Sequence, residues 1–374
     1  MRPIHFAIAA VAALAAAMPA SAQQKTTLNV ITAGDQNMVD YVKDYLGPMF
    51  EKEHPGVTVR AVGTGPGDAG SQKIYEKLEA EKSNPSWDID VAVIHQKAAG
   101  EMVPKGLLAR YVGEVPTGKL VTSAAAKNAL GADVDGYVMP MFNSQTVIAY
   151  NTEMVKNPPG SYAELEKWVQ ANPKKFGYNG IKGGMSGVAF IVGWIYADAP
   201  NADRLIKGPY DPETKKSWDQ ALARLAAFNK NAVLTPGNAG TLDMLNRGEI
   251  AMGPVWVDMF YTWQSDGKIP PSVKLKLIGP GMPGQPMYYV VPAKAAAAFV
   301  ALATSPKVQA DGIVKRFNWY PGIDAAAVKS QLDEATWQKL FVDVTPEDLA
   351  SKGKPFPIAP YFNDILESYE RKVQ

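Results

Sequence analysis

The stretch YVMPMFNSQTVIAYN, residues 137–151, decides the fold. It is extended in character, with β-branched and aromatic side chains, and carries a polar break at Asn143, Ser144 and Gln145. It is too long for one strand of ordinary length. A strand that leaves one domain and enters another, with its polar break in the gap between them, accounts for both the length and the interruption. VKLKLIGPGMPGQPMYYVVPA (273–293) is a second long extended stretch, broken by a Gly/Pro cluster and suited to carry the chain back. A third passage, RFNWYPGIDA (316–325), breaks the helical run that precedes it.

Outward from this crossing toward the N-terminus, strands and helices alternate. TLNVITAG (27–34) predicts a strand ending at Gly34, followed by a helix on which Val39, Val42, Tyr45, Leu46 and Phe50 make one apolar stripe. Pro55 and Gly56 make a turn, and an alternating strand leads into GPGDAG (65–70). SQKIYEKLEAEK predicts a helix with Ser71 as its cap, WDIDVAVIH (87–95) a third strand, and residues 97–103 a small-residue helix. This rhythm implies an α/β domain with a largely parallel sheet. Beyond the crossing, Ser161 and Glu164 open a helix with a capping box, and 180–197 begins as a loop and becomes a buried apolar helix. An amphipathic helix (217–230) and a helix–strand–helix unit (240–264) follow, and a last helix closes the chain.

Residues 1–22 place Arg2 before an apolar run and end in Ala20, Ser21 and Ala22, the three-part layout of a secretory leader cleaved after Ala22. Its removal leaves about 350 residues, enough for two domains. The chain has no cysteine, which excludes disulfides and thiolate chemistry. Lys plus Arg at 38 against Asp plus Glu at 37 gives no support to nucleic-acid binding or a polybasic membrane patch. No later stretch is apolar for long enough to insert in a membrane.

GPGDAG has the G-x-G-x-x-G spacing of a dinucleotide-binding turn. Asp88 and Asp90, however, open the third strand, whereas the ribose-binding acid of that fold ends one, and an exported protein has no supply of NAD. Gly70 is followed by Ser71, Gln72 and Lys73, which also fails the phosphate-binding P-loop pattern. What remains is a helix start whose backbone amides, with Gly67, Asp68, Ser71 and Gln72, can meet a polar ligand. The alternative is a plain tight turn. His95 ends the third strand, where ligands collect in parallel sheets, or is a structural hydrogen-bonder. Only His54 and His95 remain after the leader, so no metal constellation can be built unless carboxylates or tyrosines dominate it, and none is expected. Tyr288 and Tyr289 tempt an iron-binding reading, but neighbours on a strand point to opposite faces. No Ser-His-Asp arrangement and no nucleophile elbow is present, which argues against an enzyme. Trp256 with Asp258 offers a stacking wall and a carboxylate, suited to an amine or a sugar, although any single Trp can equally be core.

Taken in order, the export leader, HPGVTVRAV, WDIDVAVIH, the crossing strand ending in AYN, YYVVPA and the helix running into TSPKVQ resemble the extracellular solute-binding proteins of ABC importers. The similarity is to the type II group that includes polyamine, iron, maltose and aminophosphonate binders. The resemblance implies a two-lobe periplasmic-binding-protein type II fold, each lobe a mostly parallel α/β sheet, joined by crossing strands around a ligand cleft. It implies lobes at 24–143 plus 279–315 and at 144–278 plus 316–374. By position, the family's binding loops match Asp35, Gly67, Asp68, Ser71, Gln72, His95, Asn143, Ser144, Gln145, Gly184, Met185, Ser186, Trp256, Asp258, Tyr288 and Trp319. The expected protein is a periplasmic monomer without cofactor that delivers a charged or zwitterionic organic solute to an ABC permease. A ferric-iron binder on the same fold and an exported hydrolase are the alternatives. The adjacent tyrosines lie in a crossing strand rather than in a second-lobe loop, and the several acidic cleft residues of polyamine binders are not evident.

Overall fold

The computed structural model describes residues 26–199, 201–293 and 297–373. The leader expected at 1–22 lies outside them, and no helix among the described residues is long and apolar enough to cross a membrane. The N-terminal alternation appears as β1 (Thr26–Ala33), α1 (Gln36–Tyr41), β2 (Val57–Gly65), α2 (Gly67–Glu81), β3 (Val91–Ile94) and α3 (Gln96–Met102). β1 lies between β2 and β3 and runs parallel to both.

The 137–151 stretch forms β4 (Met139–Asn151), 13 residues long, which at the rise of an extended chain spans roughly 40 Å. After it come α4 (Met185–Asp198), α5 (Gly237–Asn246), β5 (Met252–Trp256), α6 (Val257–Ser265), β6 (Val273–Lys276), β7 (Met282–Val290), β8 (Tyr320–Pro321), β9 (Gly353–Lys354) and α7 (Ala359–Lys372). From Met139 to Gln145, β4 pairs antiparallel with β7, and from Thr146 to Asn151 it pairs antiparallel with β5 and β6. One strand therefore serves two sheet regions, as its length requires. The polar break falls at the junction, where β8 also pairs with Phe142 and Asn143.

The two regions repeat one plan. β2, β1 and β3 are parallel, and β7 then runs antiparallel to β3. Gly177–Tyr178 is likewise parallel to Val233–Leu234, and the preceding Phe176 is bridged in parallel to β5 at Met252, with β4 antiparallel beyond. The sheets are thus mixed rather than mostly parallel, because the strands that cross between regions return against the parallel set.

Buried apolar side chains fall into two clusters. One draws on residues from Val30 to Phe142 and from Met287 to Trp319. The other draws on Val147 to Met282, on Tyr320 to Tyr369, on Ala310 and Val314, and on Leu130. α4 buries every residue from Met185 to Tyr196 and so is apolar all round, as a helix enclosed by packing must be. Trp319, 0% exposed, stacks near Phe142 and Phe317 at centroid distances of 4.6 Å each. Its Nε1 donates to the Asp258 carbonyl at 2.9 Å and to Thr262 Oγ1 at 3.0 Å. Trp319→Phe keeps the stack but removes the hydrogen bonds that tie the indole to α6, while the Asp258 carbonyl keeps the Thr262 hydroxyl as a donor at 2.9 Å. We expect a loss of about 1 kcal/mol in unfolding by denaturant.

Candidate functional site

Each parallel strand hands the chain to a helix at the same end, so the junction residues gather between the two regions. β1 delivers Gly34 and Asp35, β2 delivers Gly67, and β3 delivers His95. From the other side come Met185 at the start of α4, Asn238 at the start of α5, and Trp256 with Asp258 at the start of α6. Together with Phe142, Ser144, Gln285 and Met287 of the crossing strands and Met38 of α1, they line one cavity of about 40 Å³. The period of two along β4 and β7 explains which crossing residues face it: Phe142 and Ser144 on one strand, Gln285 and Met287 on the other.

Two carboxylates meet in this cavity, and no Lys or Arg among the described residues lines it. Burial pushes the Asp258 carboxyl up to about 7, with the Asp35 charge adding to the effect and a hydrogen bond from Ser144 opposing it. Ser144 Oγ donates to Asp258 Oδ1 at 2.5 Å. Burial raises Asp35 as well, opposed by Asn238, whose Nδ2 donates to Asp35 Oδ2 at 3.2 Å. That bond joins the two sides of the cavity. Asn238 is held from behind by Ser186, whose Oγ donates to Asn238 Oδ1 at 2.6 Å and also bonds Asn179 at 3.0 Å.

Burial holds His95 down to about 4, so its ring is neutral at pH 7. Ser71 Oγ accepts the His95 backbone N–H at 3.0 Å and lies 3.0 Å from Nδ1. The one hydroxyl thus engages both the backbone and the ring of His95 and fixes the ring's orientation. The expectation that Ser71 caps its helix is overturned. α2 starts four residues earlier, after Pro66, and the buried Ser71 orients His95 from inside the helix.

Of the sixteen residues expected at the site, Asp35, Gly67, His95, Ser144, Met185, Trp256 and Asp258 line the cavity. Gly184 and Ser186 stand directly behind it, one caging the Asn238 side chain and the other bonded to it. The remainder are placed elsewhere. Asp68 and Gln72 face an outer recess with Lys97 and Glu101, because successive helix positions point away from the junction. Asn143 and Gln145 occupy the opposite face of β4, bonded to the carbonyls of Pro321 and Met282. Tyr288 is buried with its hydroxyl toward Gln96 and the Ala125 carbonyl, while its neighbour Met287 faces the cavity. Trp319 supports the Asp258 backbone and does not line the space. No cluster of three or more His, Cys, Asp or Glu residues able to hold a metal occurs among the described residues.

Gly34, Met38, Phe142, Asn238, Gln285 and Met287 line the cavity without having been expected there. Asn238 carried a usable signal, since it follows Pro236 and Gly237 at a strand-to-helix junction like the others. The GPGDAG loop has a packing role. A Cβ on Gly70 would sit 1.9 Å from the Gly65 carbonyl oxygen, so the turn from β2 into α2 admits nothing larger. Gly67 instead touches the opposite side: its Cβ position lies 3.5 Å from Gly184 Cα. Two glycines thus form a seam where the sides meet.

The model of the bacterial extracellular solute-binding protein family matches residues 46–341. Among solved structures, the chain is similar to the GacH receptor of Streptomyces glaucescens (16% identity, TM-score 0.67, 93% of this chain and 94% of that one). It is similar also to the spermidine/putrescine ABC transporter substrate-binding protein PotD of Streptococcus pneumoniae (13%, 0.66, 93% and 100%). A third is the Tp0655 (TpPotD) lipoprotein of Treponema pallidum (13%, 0.65, 93% and 99%). At these identities the likeness is one of fold. No curated protein sequence matches the chain.

Proposed function

The chain belongs to the bacterial extracellular solute-binding protein family, and we propose that it captures a small cationic organic solute between two lobes for an ABC importer permease. The lobes are 24–143 plus 279–315 and 144–278 plus 316–374; the exported protein acts as a monomer and releases the solute chemically unchanged. The observation that carries this reading is the pair Asp35 and Asp258, one from each lobe, in a cavity that no Lys or Arg among the described residues lines. Two raised carboxylates are costly to hold together, and an ammonium placed between them offsets that cost. Trp256, Phe142 and three methionines supply the polarizable wall that an organic cation prefers. PotD of Streptococcus pneumoniae, named for spermidine and putrescine, shares the fold.

A zwitterion is the second reading, favoured by one further observation. Gly67, which lines the cavity, opens a 15-residue helix with no side-chain cap, and the backbone N–H groups of that helix start suit an acidic group. Calorimetric titration with putrescine, γ-aminobutyrate, succinate and maltose separates the readings. Binding of putrescine alone supports the cation, binding of γ-aminobutyrate alone the zwitterion, and binding of succinate or maltose but neither amine overturns both. The seam provides an independent check of the cleft. Asn tolerates the Gly67 backbone (φ 68°) but projects toward Gly184. Gly67→Asn should weaken whichever amine binds by about 10-fold while leaving the melting temperature nearly unchanged; unchanged affinity would mean the seam does not close on the solute.

A further inference from the structure

Away from the cavity, the chain makes a second contact between lobes. Residues 128–129 and 132–133 form a small hairpin whose two-residue turn is Leu130 and Gly131. The hairpin stands on the first lobe: Val134 N–H donates to the Lys127 carbonyl at 2.9 Å, and Ala126, Ala129 and Val134 belong to the first apolar cluster. Its tip does not. Leu130 is 9% exposed and is counted among the buried side chains of the second cluster. The Ala359 N–H, at the start of α7, donates to the Leu130 carbonyl at 2.8 Å. A Cβ on Gly131 would lie 3.0 Å from Ile358 Cγ2.

The backbone at the tip is unusual for its side chain. Leu130 has φ 52°, a left-handed conformation that turns of this kind normally give to Asn, Asp or Gly. A bulky residue persists there only where the surroundings over-determine it, and here these are the apolar contacts and the hydrogen bond made to the other lobe. Beside the tip, a cavity of about 770 Å³ lies between the lobes, bordered by Gln96, Asn128 and Ala132 on one side and by Ile206, Phe356 and Ile358 on the other. The tip therefore meets the second lobe at the edge of open space.

We propose that the Leu130–Gly131 turn is a closure latch: it engages the Ile358–Ala359 turn as the lobes come together and sets how much of the unliganded protein is closed. None of these residues lines the solute cavity. The latch thus biases a two-state hinge from a remote contact, in the way any differential interaction shifts a conformational equilibrium.

The chain has no cysteine, so a labelled pair can be introduced cleanly. Glu76→Cys on α2 and Lys182→Cys before α4 are exposed positions on the two sides of the cleft. Spin labels there report the lobe separation of the full mature chain by double electron–electron resonance, with no solute added. Leu130→Asn keeps the left-handed backbone and removes the apolar plug. Ala359→Pro removes the N–H at a position where a helix accepts proline. Each is expected to reduce the ratio of short to long separations about 3-fold or more. A parent without the short component, or a folded variant of either kind with the parent's distribution, overturns the latch. Should Leu130→Asn fail to fold, Ala359→Pro decides alone. Because no solute takes part, the result stands apart from the identity of the ligand.

Discussion

Asp258→Asn is expected to lower the affinity for an amine about 100-fold or more, measured by calorimetry with whichever amine binds the parent. Asp258 is 6% exposed, sits at the start of α6 and is aimed by Ser144, so its charge meets a bound ammonium with little screening by solvent. Asn preserves the shape and can still accept from Ser144, which isolates the charge. The same substitution should stabilise the unliganded protein at pH 8, because the parent must there keep a desolvated charge beside Asp35. Affinity and stability moving in opposite directions is the signature of a binding group held at a cost to the fold. A variant that binds as the parent does would remove Asp258 from the site.

The second large effect is on pH dependence. Asp258 has its carboxyl raised from 3.8 to about 7, so between these values the folded protein keeps a proton that the unfolded chain has released. Its contribution to stability is fully present below 3.8, is lost as pH rises, and is gone above about 7. The gap corresponds to up to roughly 4 kcal/mol, and Asp35, also raised, adds in the same direction. Half-buried carboxylates lowered by hydrogen bonds to lysines, such as Asp311 and Asp348, act with the opposite sign. The expected result is therefore the difference between the parent and Asp258→Asn across pH 4–8, followed by denaturant unfolding. Binding an amine favours the ionised carboxylate, so affinity should rise with pH up to about 7 and then level, with release of a proton. Titrations in buffers of different ionisation enthalpy detect that proton. A parent and variant with parallel stability curves would show that Asp258 ionises normally.

Much of the architecture was legible because it rests on periodicity. The 13-residue crossing strand had to be too long for one sheet, and the alternation before it had to place loops at one end. Of the seven cavity residues that the family resemblance implied, six stand at such junctions and Ser144 stands in the crossing strand. What misled was orientation within a junction. Ser71 and Gln72 follow the same glycine loop as Gly67, yet helix geometry turns one inward to His95 and the other out to solvent. Tyr288 and Met287 differ by one step along a strand and so face opposite ways.

By itself, then, the amino-acid sequence determined the number of lobes, the strands that join them and the loops from which a site must be built, because hydrophobic period and turn chemistry act locally. Only the tertiary structure decided the chemistry of the site. Asp35 and Asp258 are more than two hundred positions apart, and they become a pair only when β1 and β5 end at the same gap. Charge acts through distance in space and through burial, and neither quantity is carried by the order of residues along the chain.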